Sequence, residues 1–201
     1  MILKWNHDDS MARQLMVALE EKNFTRFSEL LPRAKKGDGA LAMEEAIDQN
    51  LLEYVTILIP LCHEGSLGGN CLVDASLYGY TDLVREFIPY ADTDSLQVAL
   101  NSAITHKHEK TVVLLLQHVD ATYDNSYPLQ LVASKTRRHE DCPIFNMVFA
   151  VSNPQEALNA LHGRLGKETA MAILQERINF ETKNNIQKNI SVPTAVHTRK
   201  L

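Results

Sequence analysis

Apolar positions along this chain fall into short helical stripes that arrive in pairs. Met11, Leu15, Met16 and Leu19 share one face behind a candidate N-cap at Asp9 or Ser10. Asn23 interrupts that stripe, and Phe24, Phe27, Leu30 and Leu31 form the next, before the charged, glycine-bearing loop Lys35-Lys36-Gly37-Asp38-Gly39. Leu41, Met43, Ala46 and Ile47 then pair with Leu51, Val55, Leu58 and Ile59. A third unit spans Cys71 to Asp92. A fourth has Leu96, Val98, Ala99, Leu100 and Ala103, followed by Thr111 to Val119. The fifth opens on Tyr127-Pro128-Leu129, where proline suits a first helical turn, and its second helix is predicted at Cys142–Val151. Two short helices joined by a few polar residues make an antiparallel hairpin. The pattern therefore predicts an all-α chain of five hairpins over residues 10–152.

The hairpins share a frame. Ala18 is followed fourteen residues later by Pro32, Ala46 by Pro60, and Ala75 by Pro89. Ala103 starts a copy without the proline and Ala133 a weaker one, so the anchors are spaced 28, 29, 28 and 30 residues apart. Self-similarity at such a period marks a stacked repeat architecture, in which no unit buries its apolar face alone. A small residue inside each first helix lets neighbouring hairpins approach closely. Proline after the last apolar residue should stop each second helix, because it lacks the N–H that would continue it.

Around the repeats, residues 1–9 read as an extended lead-in, and His63 to Asn70, with three glycines, as the most flexible connector. Asn153-Pro154 is a cap followed by an N1 proline, opening a helix that Gly166 ends. A last helix is predicted from Glu168 to Thr182. These helices, within 153–185, read as a terminal cap covering the last apolar face. Residues 186–201 carry no period and read as a disordered tail.

Composition narrows the function classes. Of 201 residues, 45% are apolar, enough for a packed core, and the net charge of −5 argues against a general attraction to nucleic acid or anionic membrane. Cys62, Cys71 and Cys142 lack CxxC spacing, which fits a reducing compartment. The start MILKWNHDDS has no long apolar core, and no run approaches the roughly 18 residues of a membrane span. A cytoplasmic protein is expected, of the host cytoplasm if delivered there.

Little chemistry is signalled. His106 and His108 flank Lys107, and Cys62-His63 lies near Cys71, but neither set has zinc-ligand spacing, so no metal is expected. Cys62 and Cys142 fall on apolar faces, which leaves Cys71 as the most exposed thiol. Gly65-Ser66-Leu67-Gly68-Gly69 lacks the lysine of a phosphate-binding loop and follows a helix. No cofactor is expected and no catalytic constellation is marked. The basic run Lys135-Thr136-Arg137-Arg138-His139 occupies the fifth inter-helix turn, as a solvated turn or a contact for an acidic group.

Ala75-Ser76-Leu77-Tyr78-Gly79-Tyr80-Thr81-Asp82-Leu83-Val84-Arg85-Glu86-Phe87-Ile88 resembles the ankyrin pattern A-A-x-x-G-H-x-E-V-V-x-L-L-L. Ala103 to Leu116 resembles it too, with His108 at the histidine position and Lys107 where glycine is usual. Ala46-Ile47 fits the first helix, with Asn50 at the glycine position and Glu53 at the acidic one. The resemblance spans residues 10–150. The period is shorter than the ankyrin 33, the threonine–proline–leucine–histidine opening is echoed only by Tyr127-Pro128-Leu129-Gln130, and turn glycine survives only at Gly79. Ile88-Pro89-Tyr90-Ala91-Asp92 and Val151-Ser152-Asn153-Pro154 are similar to divergent ankyrin-like proteins of bacteria and phages.

The resemblance implies an ankyrin-like solenoid with a helical C-terminal cap. It also implies that His108 hydrogen-bonds the backbone of the adjoining turn, and that partners bind along the turn edge and concave face. On that edge lie Asn50, Tyr78, Tyr80, His106, Lys107, Arg137 and Arg138, of which Tyr78, Tyr80 and Arg137 are the foremost candidates. Tyr78 has a second reading, packing between repeats. The function implied is non-catalytic protein–protein recognition that inhibits or redirects a host or rival protein. Two other classes stay open: an enzyme or toxin using Cys71 or Cys142 as nucleophile, and a structural homo-oligomer.

Overall fold

The computed structural model describes residues 10–35, 37–62, 66–135, 142–175, 179 and 182. Among these residues the regular structure is helical throughout, with no strand. The predicted pairs appear in order as α1 (Met11–Glu20) and α2 (Phe24–Leu30), α3 (Ala40–Asp48) and α4 (Leu52–Cys62), α5 (Ser66–Tyr78) and α6 (Thr81–Phe87), α7 (Thr93–Thr105) and α8 (Glu109–Leu115), and α9 (Tyr123–Lys135) and α10 (Pro143–Val151). Helix α11 (Pro154–Leu165) follows, and helical backbone resumes over 167–175. The lead-in and the tail fall outside the described residues.

Within each pair the two helices pack together. Between pairs, α1, α3, α5, α7, α9 and α11 touch in succession, as do α4, α6, α8 and α10. The anchor alanines lie where these rows meet. Ala18, Ala46, Ala75 and Ala103 are fully buried and Ala133 nearly so, inside one continuous apolar core. Phe27, Tyr54, Leu72, Phe87, Leu100 and Leu115 fill the space between successive helices.

The first four inter-helix turns close in one way, and the anchor alanines are part of it. Asn23 N donates to Ala18 O (2.9 Å), Leu51 N to Ala46 O (2.8 Å), Tyr80 N to Ala75 O (2.9 Å) and His108 N to Ala103 O (2.9 Å). One residue earlier, Lys22, Asn50, Gly79 and Lys107 adopt left-handed φ of 52°, 54°, 75° and 62° and donate to Leu19, Ile47, Ser76 and Ile104. This is the paired 6→1 and 5→2 closure of a Schellman motif, which satisfies carbonyls the helix end would otherwise leave open. The alanine is therefore a packing residue by its side chain and a capping residue by its carbonyl.

Helix ends depart from expectation at several places. Pro32 and Pro89 do stop α2 and α6, each inside a single 3-10 turn (Leu31–Arg33 and Ile88–Tyr90). Pro60, however, lies within α4, which runs two residues past it to Cys62. Near a C-terminus a proline deletes only one helical bond, so the last turn survives. Helix α8 ends at Leu115, short of the predicted Val119, because Gln117 N and His118 N bond back three residues to Leu114 O and Leu115 O. The glycine-rich connector is not a loop to its end. From Ser66 it is the first part of α5, and Gly69 faces Ser95 so closely that a Cβ there would collide with the serine side chain. The glycine serves close approach of α5 to α7 rather than flexibility.

Helix α9 holds a second surprise. Asp124, Asn125 and Ser126 form a left-handed turn (φ 47°, 56° and 60°) before the right-handed helix starts at Tyr127-Pro128, where proline takes the first-turn role its position predicts. Left-handed backbone costs about 1–2 kcal/mol per L-residue. Its supports are Ser126 N to Thr122 O (3.0 Å), the buried Ser126 hydroxyl to Glu156 Oε2 on α11 (2.9 Å), and Gln130 Nε2 to Asn125 O (2.9 Å). Helix α11 itself begins at an Asn153 cap and ends at Gly166 (φ 82°), as the Asn-Pro pair and the glycine predict.

Candidate functional site

At two of the turns, the residue that follows the left-handed one ties neighbouring pairs together. His108 Nε2 lies 2.8 Å from Leu77 O, so that nitrogen carries the proton and donates to a carbonyl in the last turn of α5. Tyr80 makes the equivalent link one period earlier, its hydroxyl donating to Asp48 O at 3.4 Å. The His108 ring also fills the space a side chain at Gly79 would need. His108 thus takes the backbone-bonding turn role expected of it. A further tie, invisible in the pattern, joins α6 to α8: the Thr81 and Thr111 hydroxyls are 3.0 Å apart, with Thr111 fully buried.

The predicted edge residues divide into two groups. Tyr78 and Tyr80 stack on each other, ring centroids 5.5 Å apart and planes 28° from parallel, with Tyr78 47% exposed. Asn50 and Tyr80 line one groove of about 730 Å³ with Arg85, Lys110, Val113 and Gln117. In it Arg85 is held by Asp82 at 2.7 Å, Lys110 has no ion-pair partner among the described residues, and Val113 is exposed. His106 stands apart from the groove. Its Nδ1 lies 2.9 Å from Ser102 O and its ring stacks over His108 at 6.2 Å. Lys107 is exposed and serves the turn through its backbone. Arg137 and Arg138 lie outside the described residues.

Beside the tyrosines lies a set of carboxylates that the sequence reading passed over. The negative charge of Asp48 foremost, then burial, Asp74 and a hydrogen bond to Asp48, raises the Tyr78 phenol above its ordinary value. Burial, followed by the charges of Asp48 and Glu44, raises the Asp74 carboxyl. The signal was present in the repeat frame. Glu44 and Asp48 sit two residues either side of Ala46, and Asp74 one before Ala75, offsets that leave the core face of the first helix.

Elsewhere, Tyr123 donates to Gln97 O (3.3 Å) and Asn101 Oδ1 (2.9 Å), and burial pushes its phenol up to about 12. Asn125, Gln130, Glu156, Asn159, Ala160 and Gly163 line a second groove of about 510 Å³ beside the left-handed turn.

The cysteines correct an expectation. Cys71, read from sequence as the most exposed thiol, is only 7% exposed because it lies on the core side of α5. Cys142 is half-buried at the start of α10. Among the described residues no group of three or more His, Cys, Asp or Glu is arranged to hold a metal ion, and no helix is long and apolar enough to cross a membrane. No family model matches the chain, and no curated protein or solved structure matches it.

Proposed function

We propose that the chain is a non-catalytic binding protein, a solenoid of stacked helical hairpins resembling ankyrin repeats. It captures another protein along its turn edge and the exposed side of its first helices, and so inhibits or redirects it. The carrying observation is the turn itself. Four closures with the same hydrogen bonds and the same left-handed residue recur every 28 or 29 residues, and their first helices touch in order. Such an array sets short, exposed turns in a row on one rigid edge, where the stacked tyrosines and the Asn50–Tyr80 groove lie. Tyrosine beside arginine is the composition of binding hot spots rather than of inert surface. No cofactor enters this reading.

The test is capture by the immobilised chain from cytosol of the source organism or its host. Tyr78→Ala with Lys110→Ala should weaken retention of the captured protein while the melting temperature stays within a degree or two, because both side chains are exposed. Undiminished capture by that variant would show the edge to be the wrong surface.

A further inference from the structure

We propose that the stacked Tyr78–Tyr80 pair and the carboxylates beside it seat an arginine-bearing basic segment of the captured protein. This rests on the binding reading above and assigns the partner its chemistry.

The aromatic pair comes first. Tyr78 is exposed and stacked on Tyr80, and the Tyr80 hydroxyl ties the stack to the end of α3 through Asp48 O. The pair is therefore held in place before any partner arrives. Glu44 and Asp48 are one helical turn apart on α3, and Asp74 and Tyr78 one turn apart on α5, so each pair shares a helix face. Helices α3 and α5 pack together, which brings the two columns side by side.

Charge supplies the second argument. Among the described residues the ion pairs are Arg13–Glu20, Arg26–Glu21 and Arg85–Asp82, none of which reaches this face. Among the described residues, none of Glu44, Asp48 and Asp74 forms an ion pair with a cation. Burial first and then the charges of Asp48 and Glu44 raise the Asp74 carboxyl, and the charge of Asp48 foremost raises the Tyr78 phenol, so the acids and the ring lie within reach of one another. Like charges gathered without a counter-charge are a standing cost that an external cation would relieve.

The kind of cation follows from geometry. The carboxylates do not converge into a metal-holding group, and a flat aromatic surface beside separated acids suits a planar guanidinium. Arginine stacks on an aromatic face while its fork bonds a carboxylate, and lysine offers only a point charge.

The probe is fluorescein-labelled octa-arginine, titrated into the full chain by anisotropy at low and at physiological salt. Wild type should bind, more weakly as salt rises. Asp48→Asn with Asp74→Asn should weaken binding about tenfold or more. Glu29→Gln with Glu168→Gln, which removes the same charge elsewhere, should leave it nearly unchanged. Tyr78→Ala should lose roughly threefold and Tyr78→Phe almost nothing, because the ring face rather than the hydroxyl meets the cation. Thermal melts check that each variant folds, and the Asp→Asn pair should melt no lower than wild type. No binding by wild type, or equal loss in both charge-removing variants, overturns the proposal. So does wild-type affinity in Tyr78→Ala. If a cytosolic protein is captured equally by wild type and by Asp48→Asn with Asp74→Asn, the cationic assignment falls while the binding reading stands.

Discussion

Gly79 answers to two constraints at once. Its backbone is left-handed (φ 75°), and the space where its Cβ would go is occupied by the His108 ring, which is itself fixed by its bond to Leu77 O. Lys22, Asn50 and Lys107 take the same backbone at the other turns and keep their side chains, so conformation alone does not demand glycine here. The histidine does. Gly79→Ala should cost about 2–3 kcal/mol in urea unfolding, of which about 1 kcal/mol is the left-handed backbone. In a His108→Ala background the same change should cost only the backbone part, a coupling a double-mutant cycle reads directly. Equal costs in both backgrounds would mean that ring and Cβ never compete. A sequence shows that glycine and histidine fit a pattern. It does not show that they explain each other across 29 positions.

At the scale of single elements, caps decide where helices begin. Ser10 Oγ accepts from Arg13 N, Asn23 Oδ1 from Arg26 N and Asn153 Oδ1 from Gln155 N, each at a position where the local sequence signals a start. Asp92 does the same for α7, accepting from Ser95 N at 2.7 Å, and its hydrogen bonds with Ser95 hold its carboxyl below the ordinary value of 3.8. Asp120, bonded by Thr122, is lowered too. The sign follows from linkage. A carboxyl that ionises more readily in the folded chain contributes stability above its unfolded value and loses it as pH falls through the folded one. Melting temperature should therefore drop below about pH 4, and Asp92→Asn, which keeps a capping oxygen, should flatten part of that fall in circular-dichroism melts. A steeper acid loss in Asp92→Asn would contradict the assignment. The left-handed turn at Asp124–Ser126 had no such local signal. Glu156, thirty residues later, supplies one of the three hydrogen bonds that support it, and no short window of sequence contains both partners of that bond.

For the whole molecule, the main contacts run from each helix to its pair and to its counterpart one period away, and α5 and α7 share the broadest of them. Stability in such an array sums over neighbouring interfaces, so it should be highest in the middle and lowest at the ends. Hydrogen exchange should find the slowest amides in α5 and α7 and faster ones in α1 and α11. A single rate shared by all helices would show coupling that extends beyond neighbours. The helix pairs, their order and the alanine period were legible in the chain because amphipathic spacing and caps are local properties, written within about twenty residues. The buried alanines could be named on the same ground, as could the turns. Tertiary packing decided the rest. It drew Gly69 into a helix against Ser95, turned Cys71 to the core, and gave the alanine carbonyls a capping role. It also set Asp48 and Glu44 of one pair against Asp74 and Tyr78 of the next. Those groups are 26 to 34 residues apart along the chain, and a charge interacts with whatever lies within a few ångströms, not with what is near in sequence.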